Sequence, residues 1–309
     1  MSAPTVHGSC DPRFAAVREV FEKSFAADLE TGASVAVVLD GRAVVDLWGG
    51  FADEARKRSW QRDTIVNLYS TTKGLTALCA HLLADRGRLD LDAPVALYWP
   101  EFGAAGKERV LVRHLLCHQA GLAGLRRDHS LAQLCDWRAT CDALAAETPW
   151  WEPGTAHGYH ALTFGHLVGE VVRRVDGRSL GAFFRDEVAA PLGVDLHIGL
   201  AAEHDERVAE LVPPPANPIS AAISANPRSL FARALANPPA DPRDTAGRLW
   251  RGAEIPAANG HGNARSLARV YAALARSGEL DGVRLCAPAT LARAAAVHAS
   301  GPDRVLLMP

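Results

Sequence analysis

The chain is poor in lysine. Among its 309 residues lysine stands only at Lys23, Lys57, Lys73 and Lys107, and the remaining basic charge sits on arginines spread along the sequence. With a formal net charge of -2 and no basic stripe, the chain lacks the electrostatic footprint of a nucleic-acid binder. It also lacks any apolar run near the ~18 residues of a membrane helix. The first residues, MSAPTVHGSCDPRF, have no charged stretch followed by an apolar one, so they do not read as a secretory leader. A cytoplasmic protein with neither a membrane nor a nucleic-acid partner is expected. Cys10, Cys79, Cys117, Cys135, Cys141 and Cys286 include no CxxC pair, which fits buried thiols in a reducing compartment. Cys117-His118 supplies two of the roughly four ligands that a structural zinc wants. No metal and no organic cofactor is expected.

What is present is a sizeable core, with 48% hydrophobic and 22% charged residues. The length calls for two lobes or one large mixed domain. Residues 12–31 place Phe14, Val17, Val20, Phe21 and Phe25 at helical spacing. The β-rich runs 33–39 and 43–48 flank Asp40-Gly41, a pair suited to a type I′ hairpin turn. The first run is apolar at nearly every position, and burial on both faces is expected of it. Residues 71–86 read as a helix that is apolar almost all round, hence central and buried. Helical signals then dominate to about 210, including 114–118, 131–146 and 162–175. The Pro-rich stretch 212–247 reads as a long irregular loop. Asn263 caps a helix over 264–276, and 288–298 is helix-like. The order predicts an α+β protein, an antiparallel sheet flanked by helices plus a helical lobe. The α/β domain takes 1–90 and 248–309, and the helical domain takes 91–247.

The chemistry centres on Ser70-Thr71-Thr72-Lys73. A serine and a lysine three apart occur by chance about once in a chain this long. Here the lysine lies on the most apolar helix, where an ammonium is expensive. Residues three apart share a helix face, so the Lys73 amine can reach the Ser70 oxygen, and burial lowers its pKa toward that of a base. The helix N-terminus favours developing negative charge beside Ser70. On local sequence alone, Ser70 or Thr71 as a simple cap with Lys73 reaching the surface stands as an equal alternative. Downstream, the aromatic loop Trp150-Trp151-Glu152-Pro153-Gly154 leads to Tyr159-His160-Ala161. Tyr159 is a candidate proton relay or a structural tyrosine, and His157 and His160 are further candidates for a base. His118 reads as a packing or capping residue.

Together these segments resemble the serine β-lactamase and penicillin-binding-protein superfamily, closest to class C β-lactamases and family VIII carboxylesterases. Ser70-Thr71-Thr72-Lys73 resembles the S-x-x-K nucleophile motif. Leu115 to Leu122 resembles the family's "LLTHTSGL"-like segment, Pro153-Gly154 with Tyr159 its "PG…Y" stretch, and Asn263 to Arg269 a late helix. The resemblance implies Ser70 as the acylated nucleophile, with Lys73 and Tyr159 as catalytic partners and a small-molecule ester or lactam as substrate. His160, Trp151, Phe231 and Trp250 are candidate substrate contacts, the last two because they lie in or beside the Pro-rich segment, which is expected to border the site. Two departures stand out. Tyr159-His160-Ala161 lacks the asparagine of the β-lactamase Tyr-x-Asn motif, which favours esters over lactams. No third motif of the Lys-Thr-Gly or His/Trp-x-Gly kind precedes Pro309. From this, and from the apolar run Val305 to Met308, the closing strands of the sheet are expected to be missing. An ester hydrolase, a β-lactamase or D-amino-acid peptidase, and a non-catalytic binding member of the fold are the readings carried forward.

Overall fold

Asp40 and Gly41 both have positive φ, 52° and 82°, as the Asp-Gly pair predicts for a type I′ turn. The computed structural model describes residues 5–213, 218–239 and 241–308. Strand β1 (Val6–Cys10) and helix α1 (Ala15–Ala26) come first, and the turn then joins β2 (Gly32–Leu39) to β3 (Arg42–Gly50). The sheet is antiparallel in the order β1-β3-β2. Strand β2 is half-buried along its length rather than buried on both faces, since among the described residues it is an edge strand. A second small antiparallel sheet sets β6 (Gly260–Gly262) between β4 (Val66–Asn67) and β5 (Leu196–Ile198). Its strands of two or three residues are too short to leave an alternating pattern in sequence. A hairpin of β7 (Glu279–Leu280) and β8 (Val283–Arg284) follows.

The helices surround α2 (Thr72–Asp85), whose Leu75, Leu78, Cys79, Leu82 and Leu83 are buried. After it come α3 (Val112–Leu116), α4 (Leu131–Cys135), α5 (Trp137–Ala146), α6 (Thr163–Asp176), α7 (Leu180–Phe184) and α8 (Ala190–Leu192). The expected helix over 131–146 is two helices, because Asp136 is extended (φ -88°, ψ 108°) and its carboxylate accepts from the Ala139 N–H at 3.0 Å, restarting the chain as an N-cap. Helices α6 and α7 pack on α2 and share its core.

The Pro-rich segment is more ordered than its composition predicts. Its described part holds α9 (Pro218–Ala225), α10 (Leu230–Leu235) and a 3-10 turn at Pro242–Ala246. Pro214 and Pro215 lie outside the described residues. Asn237 ties the segment to the helical lobe: its amide donates to the Leu125 and Arg127 carbonyls at 2.8 Å each, and its oxygen accepts from the His129 N–H at 2.8 Å.

The chain closes with α11 (Arg248–Gly252), α12 (Ala264–Ala275) and α13 (Pro288–Ala295). Asn263 caps α12 as its sequence predicts, accepting from the Ser266 N–H at 3.0 Å. Helix α12 packs on β2, and Arg265 at its start pairs with Asp46 of β3 at 2.9 Å. The apolar residues from Val305 on form no strand. They lie in a turn that buries Val305 beside Ala123, Trp151 and Ala234.

The approach of α6 to the loop before β6 depends on one missing side chain. A Cβ on Gly165 would fall 2.3 Å from the Ala257 nitrogen, which is backbone and cannot swing away. Gly165→Ala gains about 1 kcal/mol of helix propensity, but forcing the two segments apart costs typically about 1–3 kcal/mol. The clash should win, and a lowered urea midpoint in equilibrium unfolding is the expected outcome.

Candidate active site

Ser70 stands where the chain turns sharply out of β4. Tyr69, just before it, is in the left-handed region at φ 43°, which a non-glycine residue occupies only under constraint. Thr72 supplies that constraint. Its hydroxyl donates to the Tyr69 carbonyl at 2.6 Å and accepts from the Gly260 N–H at 2.9 Å, while the Leu68 N–H donates to the Gly260 carbonyl at 2.7 Å. The junction is thus pinned to β6, and Ser70 is left exposed at the start of α2.

One turn on, Lys73 is 8% exposed. Its Nζ lies 3.1 Å from Ser70 Oγ, 2.8 Å from the Ala161 carbonyl and 2.9 Å from the Ala257 carbonyl. It also sits 4.7 Å from the centroid of the Tyr159 ring. Burial lowers its pKa to about 7. A neutral amine has two N–H groups and one lone pair. The two carbonyls take the N–H groups, and the lone pair is left for the Ser70 hydroxyl.

The Tyr159 phenol donates to Ser70 Oγ at 2.5 Å. Burial raises its pKa, opposed by the bond to Ser70. Ser70 Oγ is therefore within hydrogen-bond distance of both an amine and a phenol, drawn from α2 and from the loop before α6. Behind Tyr159 lies His118, 5.1 Å away between ring centroids. Its Nδ1 accepts from the His160 N–H at 3.1 Å. Burial, with the neighbouring His160 and Lys73, lowers its pKa to about 2, so it stays neutral.

The remaining sequence candidates lie elsewhere. His160 is fully buried, donating from Nδ1 to the Gly158 carbonyl (2.6 Å) and accepting at Nε2 from the Leu122 N–H (3.0 Å). Trp151 is buried and donates to the Ala156 carbonyl at 3.0 Å. Trp250 is buried in the core and donates to Asn67 at 2.9 Å. Phe231 is half-buried on α10. Of the seven candidates, the structure brings together Ser70, Lys73 and Tyr159. Sequence reasoning missed the carbonyls of Ala161 and Ala257, which no side chain announces. It also missed the Thr72–Gly260 pin, for which the only signal was a second threonine inside the Ser-Lys spacing.

The site is thus a serine at a helix start with a buried amine and a phenol on its oxygen. The β-lactamase family model matches residues 20–309, and the chain belongs to this family. It is 42% identical over 287 residues to the esterase/β-lactamase LipL of Mycobacterium tuberculosis, covering 90% of this chain and 66% of LipL. The crystal structure of a family VIII carboxylesterase superposes with a TM-score of 0.92 at 45% identity, over 98% of this chain and 80% of that one. A penicillin-binding protein homologue from Caulobacter crescentus gives 0.87 at 44% identity, over 99% and 80%. The chain thus spans just under two thirds of the length of LipL. No helix among the described residues is long and apolar enough to cross a membrane.

The depressed Lys73 pKa has a consequence for stability. Between pH ~7 and the ordinary lysine value of ~10.4, the unfolded chain holds a proton at Lys73 that the folded chain lacks. Stability contributed by this group therefore rises with pH across that window and is absent below it. Urea-unfolding free energies between pH 7 and 9 should climb more steeply in the native protein than in Lys73→Met, by up to ~1.4 kcal/mol per pH unit. Parallel slopes would mean that Lys73 keeps its proton in the folded state.

Proposed function

We propose that the protein cleaves carboxylic esters through a covalent acyl-Ser70. The observation that carries this reading is the convergence of Lys73 Nζ and Tyr159 OH on Ser70 Oγ, at 3.1 and 2.5 Å. Ser70 Oγ attacks the ester carbonyl carbon while its proton passes to the Lys73 amine. Tyr159 then protonates the departing alkoxide and is recharged from Lys73. A water molecule repeats the sequence on the acyl-enzyme, releasing the acid and restoring Ser70. Positioned proton transfer of this kind typically contributes about 10²–10⁴-fold.

Ester rather than lactam is favoured by the residue two after the tyrosine. Ala161 is 7% exposed, offers only its carbonyl, and spends that on Lys73. No side-chain amide stands at this position to hold an amide-like substrate. The name of LipL, which pairs esterase with β-lactamase, keeps lactam hydrolysis as the second reading.

Short p-nitrophenyl esters should be turned over faster than nitrocefin, and intact-mass spectrometry with a slowly deacylating ester should show one adduct that Ser70→Ala abolishes. Tyr159→Phe and Lys73→Met should each lower the acylation rate by about 10²–10⁴-fold. The native rate should rise as pH passes through about 7, because only the deprotonated amine can accept the serine proton. An adduct surviving in Ser70→Ala would sink the assignment, and no acylation by a fluorophosphonate probe would favour a non-catalytic binding member of the fold.

A further inference from the structure

The loop that carries Tyr159 belongs to no sheet and no helix, yet its phenol lies within 2.5 Å of Ser70 Oγ. Its backbone is gripped from two sides. On one side the Gly158 N–H donates to the His118 carbonyl and the His160 N–H to His118 Nδ1, both at 3.1 Å. On the other side is the turn at residues 303–306. There Asp303 Oδ1 accepts from the Val305 and Leu306 N–H groups at 2.7 Å each, and from the Tyr159 N–H at 3.3 Å across 144 residues of sequence. The Arg304 N–H returns the connection, donating to the His157 carbonyl at 3.0 Å.

The fit between turn and loop is tight. A Cβ on Gly158 would fall 2.9 Å from the Trp151 ring, 3.0 Å from Val305 and 3.3 Å from Arg304. Val305 is fully buried, and Tyr159 and Leu306 both pack on the cluster it shares with Trp151. The turn is therefore a wall of the tyrosine loop.

We propose that Asp303 is a positioning residue for Tyr159. Its carboxylate folds the 303–306 turn and joins that turn to the Tyr159 backbone, so the phenol is held on the serine oxygen. The inference rests on the acyl-Ser70 reading. Asp303 touches no reacting atom. It acts through Tyr159, and its removal matters only while the phenol is there to be placed.

The test is a double-mutant cycle with two replacements at Asp303. Asp303→Asn keeps the Oδ1 acceptor. Asp303→Ser keeps a hydroxyl that can hold the local turn, but is too short to reach Tyr159, so the fold is preserved while the long-range bond is lost. Each is made in the native and the Tyr159→Phe backgrounds, and turnover of p-nitrophenyl acetate is expressed per site titrated by fluorophosphonate, which removes any loss of folded protein. A displacement of about 1 Å at a reacting group costs on the order of 10²-fold. Asp303→Ser should accordingly lower kcat per titrated site by about 10- to 100-fold with KM little changed, Asp303→Asn should restore most of it, and in the Tyr159→Phe background Asp303→Ser should add almost nothing. An unchanged kcat per titrated site, or an equal loss in both backgrounds, would overturn the proposal while leaving acyl-Ser70 intact. Native turnover in Ser70→Ala would remove both together.

Discussion

The burial of one amine organises this protein. Lys73 is buried near the start of α2, where an unsatisfied charge is costly. Two carbonyls satisfy it, Ala161 just before α6 and Ala257 just before β6. The loop that leads to α6 carries Tyr159, and the strand that follows Ala257 pins the Ser70 junction through Gly260 and Thr72. Solvating the lysine and assembling the reactive triangle are therefore one structural act. The close approach of Gly165 to Ala257 holds the segments of the two accepting carbonyls together.

The same arrangement explains why the lysine is basic without a carboxylate beside it. Its pKa falls through burial alone, and the carbonyl pair is compatible with either protonation state, since ammonium and amine both have N–H groups to offer. Only the third contact, to Ser70, changes sense with pH. The charge state is thereby coupled to the serine oxygen with little rearrangement elsewhere.

The features readable in sequence were those whose signal is local. The Asp40-Gly41 hairpin, the all-apolar α2 and the Asn263 cap follow from turn chemistry, periodicity and capping within a few residues. The spacing of Ser70 and Lys73 is fixed by a single helical turn, and Tyr159 stands out by its Pro-Gly-marked loop. Features made by distant encounters left no such trace. The β4-β6-β5 sheet is built from strands too short for alternation, and the carbonyls on Lys73 belong to alanines. Asp136 hides in sequence because its neighbours keep the helical period, although its side chain serves as a cap. His160, Trp151 and Trp250 look like site residues for their chemistry. The structure spends their polar atoms on backbone and core partners instead, as buried polar groups require.

The two carbonyls that receive Lys73 lie 88 and 184 residues downstream of it. On a ribosome adding about 5–20 residues per second, the lysine is made about 10–40 s before the second carbonyl exists. Through that interval α2 is an apolar helix carrying an ammonium that has nowhere dry to go, and water is its best solvent. Burying Lys73 before those segments exist would leave its amine without its carbonyl partners, so dry packing of this apolar helix is favoured only once they have arrived.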